Sequence, residues 1–391
     1  MPHQAETAMS TATASESASA TLAPLAGLRV LDFTSFPPGG ACTVMLADLG
    51  AEVIRVESPA QKGKPSLIVG QVALSRGKRS ITLDMRNPQA NEVLLRLARS
   101  VDIVVENAKP GSMEARGFGY RQARECNPRI IWCAITGYGQ TGPNAEHAGH
   151  DISYLAHSGL LSGLSDEMPW HPAMMIGGSA AAQSAVIAIQ AALLQAARSA
   201  EGAFLDISLS EASGWFLTCG INALTAQPYR IAATPDRRLY RCADGRFVAV
   251  ACAEPRTWKA LCEGLALPGL VGCLHQQEHA QAVARELEAV FLTRPAAEWV
   301  ERLAPDGAAV AVVNAGADLE HDPHVSARGA IARCGDVLVP ASPIRMENAD
   351  GLQTGTCGQP PHMTGDDTGD VLQSAGFTPE EVRTLEACGV I

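Results

Sequence analysis

The sequence predicts an α/β protein, with a mostly parallel sheet in a first domain and a second, smaller domain. Three observations predict it. Apolar runs of strand length alternate with segments of helix length from Leu28 to Thr136. A polar residue closes each run, as ligand-facing strand ends do in such sheets. Past residue 230 the alternation gives way to a hairpin signal, Asp244-Gly245 between two apolar runs.

The elements follow in order. "LRVLDFTSF" reads as a buried strand, and "PPGGACTVMLADLG" as a turn and a helix ending at Gly50. "AEVIRVESP" and "RSITLDM" are strands, "NPQANEVLLRLARS" a helix and "VDIVVEN" a strand. "SMEARGFGYRQARECNP" is largely helical, and "RIIWCAIT" is the next strand. Asp32, Glu57, Asp84, Asn107 and Thr136 fall at strand ends, where the loops "SFPPGG", "DMRN", "NAKPG" and "TGYGQTG" would meet a ligand. "FLDISLSEASGWFLTCGINALTAQ" reads as a strand and then a helix leading away. "YRCADGRFVAVACAEPRTWKALCEGL" reads as a hairpin and a helix. The resulting division is a disordered tail over 1–24, a large domain over 25–205 and a linker over 206–230. A small domain over 231–330 and a C-terminal return to the large domain over 331–391 complete it.

The chain has 391 residues, 47% of them hydrophobic, which is enough for two cores. A net charge of -11 argues against nucleic acid and anionic membranes as partners. Eleven cysteines without a C-x-x-C pair read as reduced thiols of a cytoplasmic protein. The Ala-rich stretch from Ala180 is interrupted by Gln183, Gln190 and Gln195 and reads as a buried helix rather than a membrane span.

Several motifs have plain readings. "GYGQTG" matches G-x-G-x-x-G but is followed at once by Pro143, so it does not open the helix a dinucleotide fingerprint needs. "EHDPH" offers two histidines and two acids but reads as a solvated loop, and no metal is expected. "GGSAA" around Ser179 lacks the last glycine of a nucleophile elbow. Arg55, Lys78, Arg79, Arg86, Lys109 and Arg116 concentrate cations in the first domain, as a polyanion such as coenzyme A would require. His150 follows a glycine-rich loop and stands beside Asp151, where a carboxylate can fix an imidazole for acid–base work.

The stretches "LAGLRVLDFTSFPPGGACTVMLADLGAEVIRVESP", "GKRSITLDMRNP", "VDIVVENAKPGSMEARGFGY", "NPRIIWCAITGYGQTGP" and "DPHVSARG", with the C-terminal tail, together resemble family III CoA-transferases. That family includes formyl-CoA transferase, carnitine CoA-transferase and α-methylacyl-CoA racemase. The resemblance runs from about Leu25 to Ile391. It implies a Rossmann-like large domain built from both the N- and C-terminal parts and a smaller α+β domain from the middle, in two interlocked chains, with each active site between the large domain of one and the small domain of the other. It implies acyl-CoA as substrate, a carboxylic acid as acceptor in the transferases, and no permanently bound cofactor. Carried over by motif, CoA contacts are implied at Phe36, Pro37 and Pro38, at Leu83, Asp84, Met85 and Arg86, and at Asn107, Ala108 and Lys109. Arg55 and Arg116 are implied phosphate partners.

The "GHD" around His150 is similar to the racemase branch, which uses that histidine as a base backed by a glutamate in an "EP" motif. Here that motif is Glu254-Pro255, and Asp151 would support the loop. One position departs. The family's aspartate, the nucleophile of the transferases and the second base of the racemase, is replaced by Gly178 in "MMIGGSAAAQSAV". A serine hydroxyl at Ser179 is too weak an acid to substitute. Three expectations follow. The chain is a CoA-transferase subunit, homodimeric or heteromeric, needing an aspartate-bearing partner. Alternatively it is a racemase-like enzyme using His150 and Glu254, or a catalytically silent CoA-binding subunit.

Overall fold

The computed structural model describes residues 22–164, 171–219, 234–349, 351–355 and 358–391. The chain starts β1 (Arg29–Asp32), α1 (Pro37–Asp48), β2 (Glu52–Glu57), β3 (Lys78–Thr82), α2 (Ala90–Ala98) and β4 (Ile103–Glu106). Then come α3 (Ser112–Ala115), α4 (Tyr120–Cys126), β5 (Ile131–Thr136), α5 (Asp151–His157) and α6 (Leu160–Gly163). The long α7 (Ile176–Ser199) leads to β6 (Ala203–Ser208) and α8 (Leu209–Trp215). β7 (Arg237–Arg241), β8 (Phe247–Ala251), α9 (Pro255–Gly264), α10 (Ala280–Phe291), α11 (Ala296–Leu303), β9 (Val310–Val312) and α12 (Pro323–Arg328) follow. β10 (Ile331–Cys334), β11 (Val337–Pro340), β12 (Arg345–Asn348), β13 (Gly351–Thr354), α13 (Thr368–Ser374) and α14 (Pro379–Ala387) end the chain.

The chain divides into two units. The first comprises residues 1–147, 178–208 and 332–391, and the second comprises 148–177 and 209–331. The first holds a six-stranded parallel sheet in the order β3-β2-β1-β4-β5-β6. This is a doubly wound order: the chain builds outward from β1 to β3, returns, and builds the other way from β4. β4 and β5 are buried along their whole length, which is why "IVVE" and "IWCAIT" are unbroken rather than alternating runs. Trp132, Phe118, Leu31, Ile54 and Val104 form the core on one face with Val371, Leu372 and Val390 of the returning C-terminal segment. That return is pinned to the sheet edge where Asp367 accepts from the Ser80 N–H at 2.8 Å and Thr368 Oγ1 from the Thr82 N–H at 3.0 Å.

The second unit has a three-stranded antiparallel sheet, β7-β8-β9. The β7–β8 turn is at Asp244-Gly245, where Gly245 has a φ of 79°. Its core joins Tyr240, Trp258, Leu261, Phe291 and Trp299. α9 and α10 are amphipathic, and their buried residues recur at helical spacing.

Some boundaries differ from expectation. Residues 1–21 lie outside the described residues, but Leu22 is buried and its N–H donates to Thr354 O at 2.9 Å, so the packed chain starts before residue 25. The expected linker over 206–230 begins inside β6 and α8, and its residues 220–230 lie outside the described residues. Residues 148–177 group with the second unit, because α5 is tied to the start of α8 by His157 Nδ1 and Ser210 Oγ at 2.8 Å. Among the described residues α7 is long and apolar enough to cross a membrane by length and composition. Ala181, Ala185 and Ile189 on one of its faces are buried, whereas Ile187 and Leu194 are exposed, so the helix is half-buried rather than enclosed.

Candidate functional site

The strand order reverses between β1 and β4, so the crevice beyond their C-terminal ends is where such a sheet takes a ligand. Residues 33–36 follow β1. Phe36 caps α1 with extended backbone, Pro37 holds the first helical position, and the Phe36 ring is 58% exposed. The loop is held from below. Asp32 Oδ1 accepts from the Thr34 N–H at 2.8 Å and from its hydroxyl at 2.6 Å, and Oδ2 accepts from Thr43 Oγ1 at 2.7 Å. A side chain at Gly39 would overlap Thr34, so the glycine lets α1 start close against the strand end.

Residues 107–110 follow β4. Ser35 N–H donates to Asn107 Oδ1 at 3.1 Å, which joins the two loops across the reversal. Ala108 N–H donates to Glu106 Oε2 at 2.6 Å. Lys109 is exposed, as is Arg116, whose carbonyl accepts from Asn91 Nδ2 at 2.6 Å. After β3, Leu83 is buried and Met85 packs against the core, so their side chains face inward. Arg86, 82% exposed on its side chain, donates through Nε to Asp84 Oδ1 at 2.9 Å. Its hydrogen bonds to Asp84 hold that carboxyl below its usual range. Phe36, Asn107 and Lys109 thus stand on two loops the structure joins. Arg86 stands on a third loop, and among the described residues no hydrogen bond links that loop to those two.

Three of the expected cations are taken up in ion pairs within the chain. The Arg55 side chain is 6% exposed, with Nη1 2.7 Å from Ser66 Oγ and 3.2 Å from Glu57 Oε1, an internal ion pair. Lys78 is fully buried, and its Nζ donates to Asp32 Oδ2 at 3.2 Å, Thr43 Oγ1 at 2.6 Å and Gly40 O at 3.2 Å. Burial alone would raise the Asp32 carboxyl, but Lys78, Arg55 and the Thr34 and Thr43 hydroxyls outweigh it and hold it below its ordinary value. Arg79 is bound to Glu52 at 2.6 Å and Asp367 at 2.9 Å.

In the second unit His150 caps α5 and is exposed. Asp151 Oδ2 accepts from the Gly177 N–H at 3.4 Å, at the start of α7. A Cβ on Gly177 would stand 2.8 Å from Ser213 Oγ and 3.0 Å from Asp151 Oδ1, so the glycine lets that carboxylate close on the helix end. Glu254 caps α9 ahead of Pro255, is exposed, and accepts from Thr257 Oγ1 at 3.2 Å. Among the described residues no ion pair or hydrogen bond within the chain joins His150 to Asp151 or to Glu254. Gly178 is buried in the first turn of α7 and has no positive φ.

The plain readings of the other motifs gain structural reasons. "GYGQTG" is followed by loop as far as α5, and Asp206 accepts from the Gln140 N–H at 3.0 Å. Asp322 caps α12 by accepting from the His324 and Val325 N–H groups at 2.9 Å, so the "EHDPH" acids and histidines form a helix start. Among the described residues no group of histidine, cysteine and acid residues could hold a metal ion. Ser179 lies in the first turn of a long helix and not on a strand-to-helix elbow. Sequence reasoning passed over Glu106, under the second loop, and named Asp32, under the first, only as a strand end. Their common signal is an acid closing a largely apolar strand.

A doubly wound sheet with joined loops at its reversal defines the class, an α/β protein with a crevice at its topological switch point. The comparisons with known proteins narrow that class. The sequence signature of CoA-transferase family III matches residues 25–368, and the chain belongs to this family. It is 29% identical over 388 residues to human α-methylacyl-CoA racemase, covering 94% of this chain and 97% of that one. It is 28% identical over 355 residues to the acetyl-CoA:oxalate CoA-transferase of Acetobacter aceti, covering 84% and 90%. Among solved structures it is similar to a CaiB/BaiF family protein from Brucella suis, with a TM-score of 0.77, 26% identity, and coverage of 91% of this chain and all of that one.

Proposed function

We propose that the chain binds acyl-CoA at the β1–β4 crevice and acts as a CoA-transferase subunit whose nucleophilic carboxylate comes from a partner chain of the same family. Gly178 is the observation that carries this reading. Transfer requires a carboxylate oxygen to attack the thioester carbonyl carbon and expel the CoA thiolate, leaving an acyl anhydride on the protein. A glycine at that place offers no oxygen. The loops argued to hold the coenzyme are nevertheless built and held: Asp32, Asn107 and Glu106 fix their backbones, and Arg86, Lys109 and Arg116 remain exposed for phosphates.

A second reading is favoured by the His-Asp pair after Gly149 and by the racemase relatives. A thioester acidifies its α-proton by delocalising charge onto the carbonyl oxygen, and one base can remove it. His150 at the exposed cap of α5 is that base, and Glu254 is its support, in a site assembled from two chains. The two readings separate on purification from the native source. A homologous chain carrying the aspartate that co-purifies and confers transfer supports the first. Solvent deuterium entering the α-carbon of a 2-methylacyl-CoA with the chain alone supports the second. Tight CoA binding with neither signal leaves a silent binding subunit.

A further inference from the structure

Glu106 ends β4, immediately before the loop argued to receive the coenzyme, and is buried. Among the described residues no cation pairs with it. Its Oε2 accepts from the Ala108 N–H at 2.6 Å, and the Trp132 indole donates to it from β5. The first bond clamps the two residues that follow, and Asn107 between them receives the Ser35 N–H. A buried carboxyl group with no cation costs stability, so its presence beneath a ligand loop calls for a reason.

We propose that Glu106 is the positioning residue of the crevice, holding the 107–109 backbone so that Asn107 and Lys109 meet a polyanionic ligand, and tying that arrangement to one proton. This rests on reading the crevice as the coenzyme A subsite. Burial pushes the carboxyl up to about 7, against the pull of the Ala108 N–H and the Trp132 indole, with Glu114 adding to the rise. The titratable groups that face it are Glu114 of α3 and the buried Cys133 of β5. A phosphate-bearing ligand disfavours a second negative charge in the wall behind its loop, so binding favours the protonated carboxyl. Affinity therefore falls as pH rises through neutrality, and binding takes up a proton.

The test is CoA affinity by calorimetry between about pH 6 and pH 8 for the wild type, Glu106→Gln and Glu106→Ala, with amide exchange of residues 105–110 in the ligand-free proteins. Glu106→Gln keeps an acceptor for Ala108 and removes the charge. Its affinity relative to the wild type should rise as pH rises, a ratio in which the titration of the coenzyme's own phosphate cancels. Glu106→Ala should bind about tenfold more weakly than Glu106→Gln at every pH, the worth of about one good hydrogen bond, and should exchange the Ala108 amide faster. A flat wild-type to Glu106→Gln ratio, or a folded Glu106→Ala with the affinity of Glu106→Gln, overturns the proposal. If the wild type binds no CoA at any pH, the coenzyme reading falls, and the amide exchange alone then judges Glu106: unchanged protection of Ala108 overturns the role and lost protection supports it. Should Glu106→Ala not fold, Glu106→Asp, which falls short of Ala108, takes its place in both measurements.

Discussion

The Ser35 N–H and the Asn107 side-chain oxygen lie 3.1 Å apart, and this bond ties the loop after β1 to the loop after β4 where the strand order reverses. It makes one surface out of two segments 72 residues apart in sequence. A ligand that spans both loops binds the folded chain alone, so it should raise the unfolding temperature with the logarithm of its concentration above its dissociation constant. CoA at about a hundred times its dissociation constant should add about 2.7 kcal/mol. Asn107→Ala should lower that protection, as should Arg86→Ala with Lys109→Ala. Thermal unfolding with and without millimolar CoA checks this, and an absent shift for the wild type would remove the coenzyme assignment.

The Asp32–Lys78 pair underlies the first loop and is wholly buried. Lys78→Met leaves the Asp32 charge without its main partner and should cost about 3–5 kcal/mol. The Asp32 carboxyl is held below its ordinary value of 3.8 in the folded chain. The stability it adds is therefore present above that value and lost as pH falls through the lower folded value. Denaturant titrations near neutral and at acid pH should show the wild type losing stability in acid and Lys78→Met losing less over the same range. Equal acid sensitivity in both would count against the pair.

Glu106 predicts the opposite slope. Its carboxyl titrates at about 7 when folded and at 4.5 ordinarily, so between those values the folded chain keeps a proton the unfolded chain has lost. That contribution is full below about 4.5, shrinks with rising pH and is gone above about 7, a change on the order of a few kcal/mol. Glu106→Gln should flatten the slope of stability between pH 5 and pH 8. A wild type and variant with parallel profiles would show that Glu106 does not titrate there.

The parallel sheet was legible because its strands are buried on both faces and read as unbroken apolar runs, each closed by a polar residue at the end that faces a ligand. The loops that carry Phe36, Asn107, Lys109 and Arg86 were legible for the same reason, since strand ends mark loops. The fate of the cations was not. Arg55, Lys78 and Arg79 look alike in sequence to Arg86 and Lys109, and only tertiary packing decides that they turn inward to Glu57, Asp32 and Glu52. The membership of residues 148–177 in the second unit was hidden too, because it depends on contacts with α8, some 50 residues further on. Leu22 was read as tail because its neighbours are small and polar, although its own side chain is buried.

The two adjacent glycines at the start of α7 should respond differently to substitution. Gly177→Ala brings a Cβ within 2.8 Å of Ser213 Oγ and 3.0 Å of Asp151 Oδ1. That crowding should cost about 1–3 kcal/mol. Gly178→Asp keeps ordinary helical backbone but puts a carboxylate at a buried position, a desolvation cost that its place in the first turn of a long helix offsets only in part. Chemical denaturation should find Gly177→Ala less stable than the wild type by that crowding cost. An unchanged Gly177→Ala would contradict the packing described around Asp151.

The most direct test of the central claim is CoA transfer by the purified chain alone, from acyl-CoA to a panel of carboxylic acids, with hydroxylamine present to trap any acyl group on the protein. On the proposal that Gly178 stands at the place of the family's nucleophile, the expected result for the wild type is no transfer and no trapped acyl group. Transfer should then appear with an aspartate-bearing homologue, and Gly178→Asp should itself gain transfer or epimerisation of a 2-methylacyl-CoA. Robust transfer by the lone wild-type chain would contradict the account and make Glu254 the first carboxylate to replace.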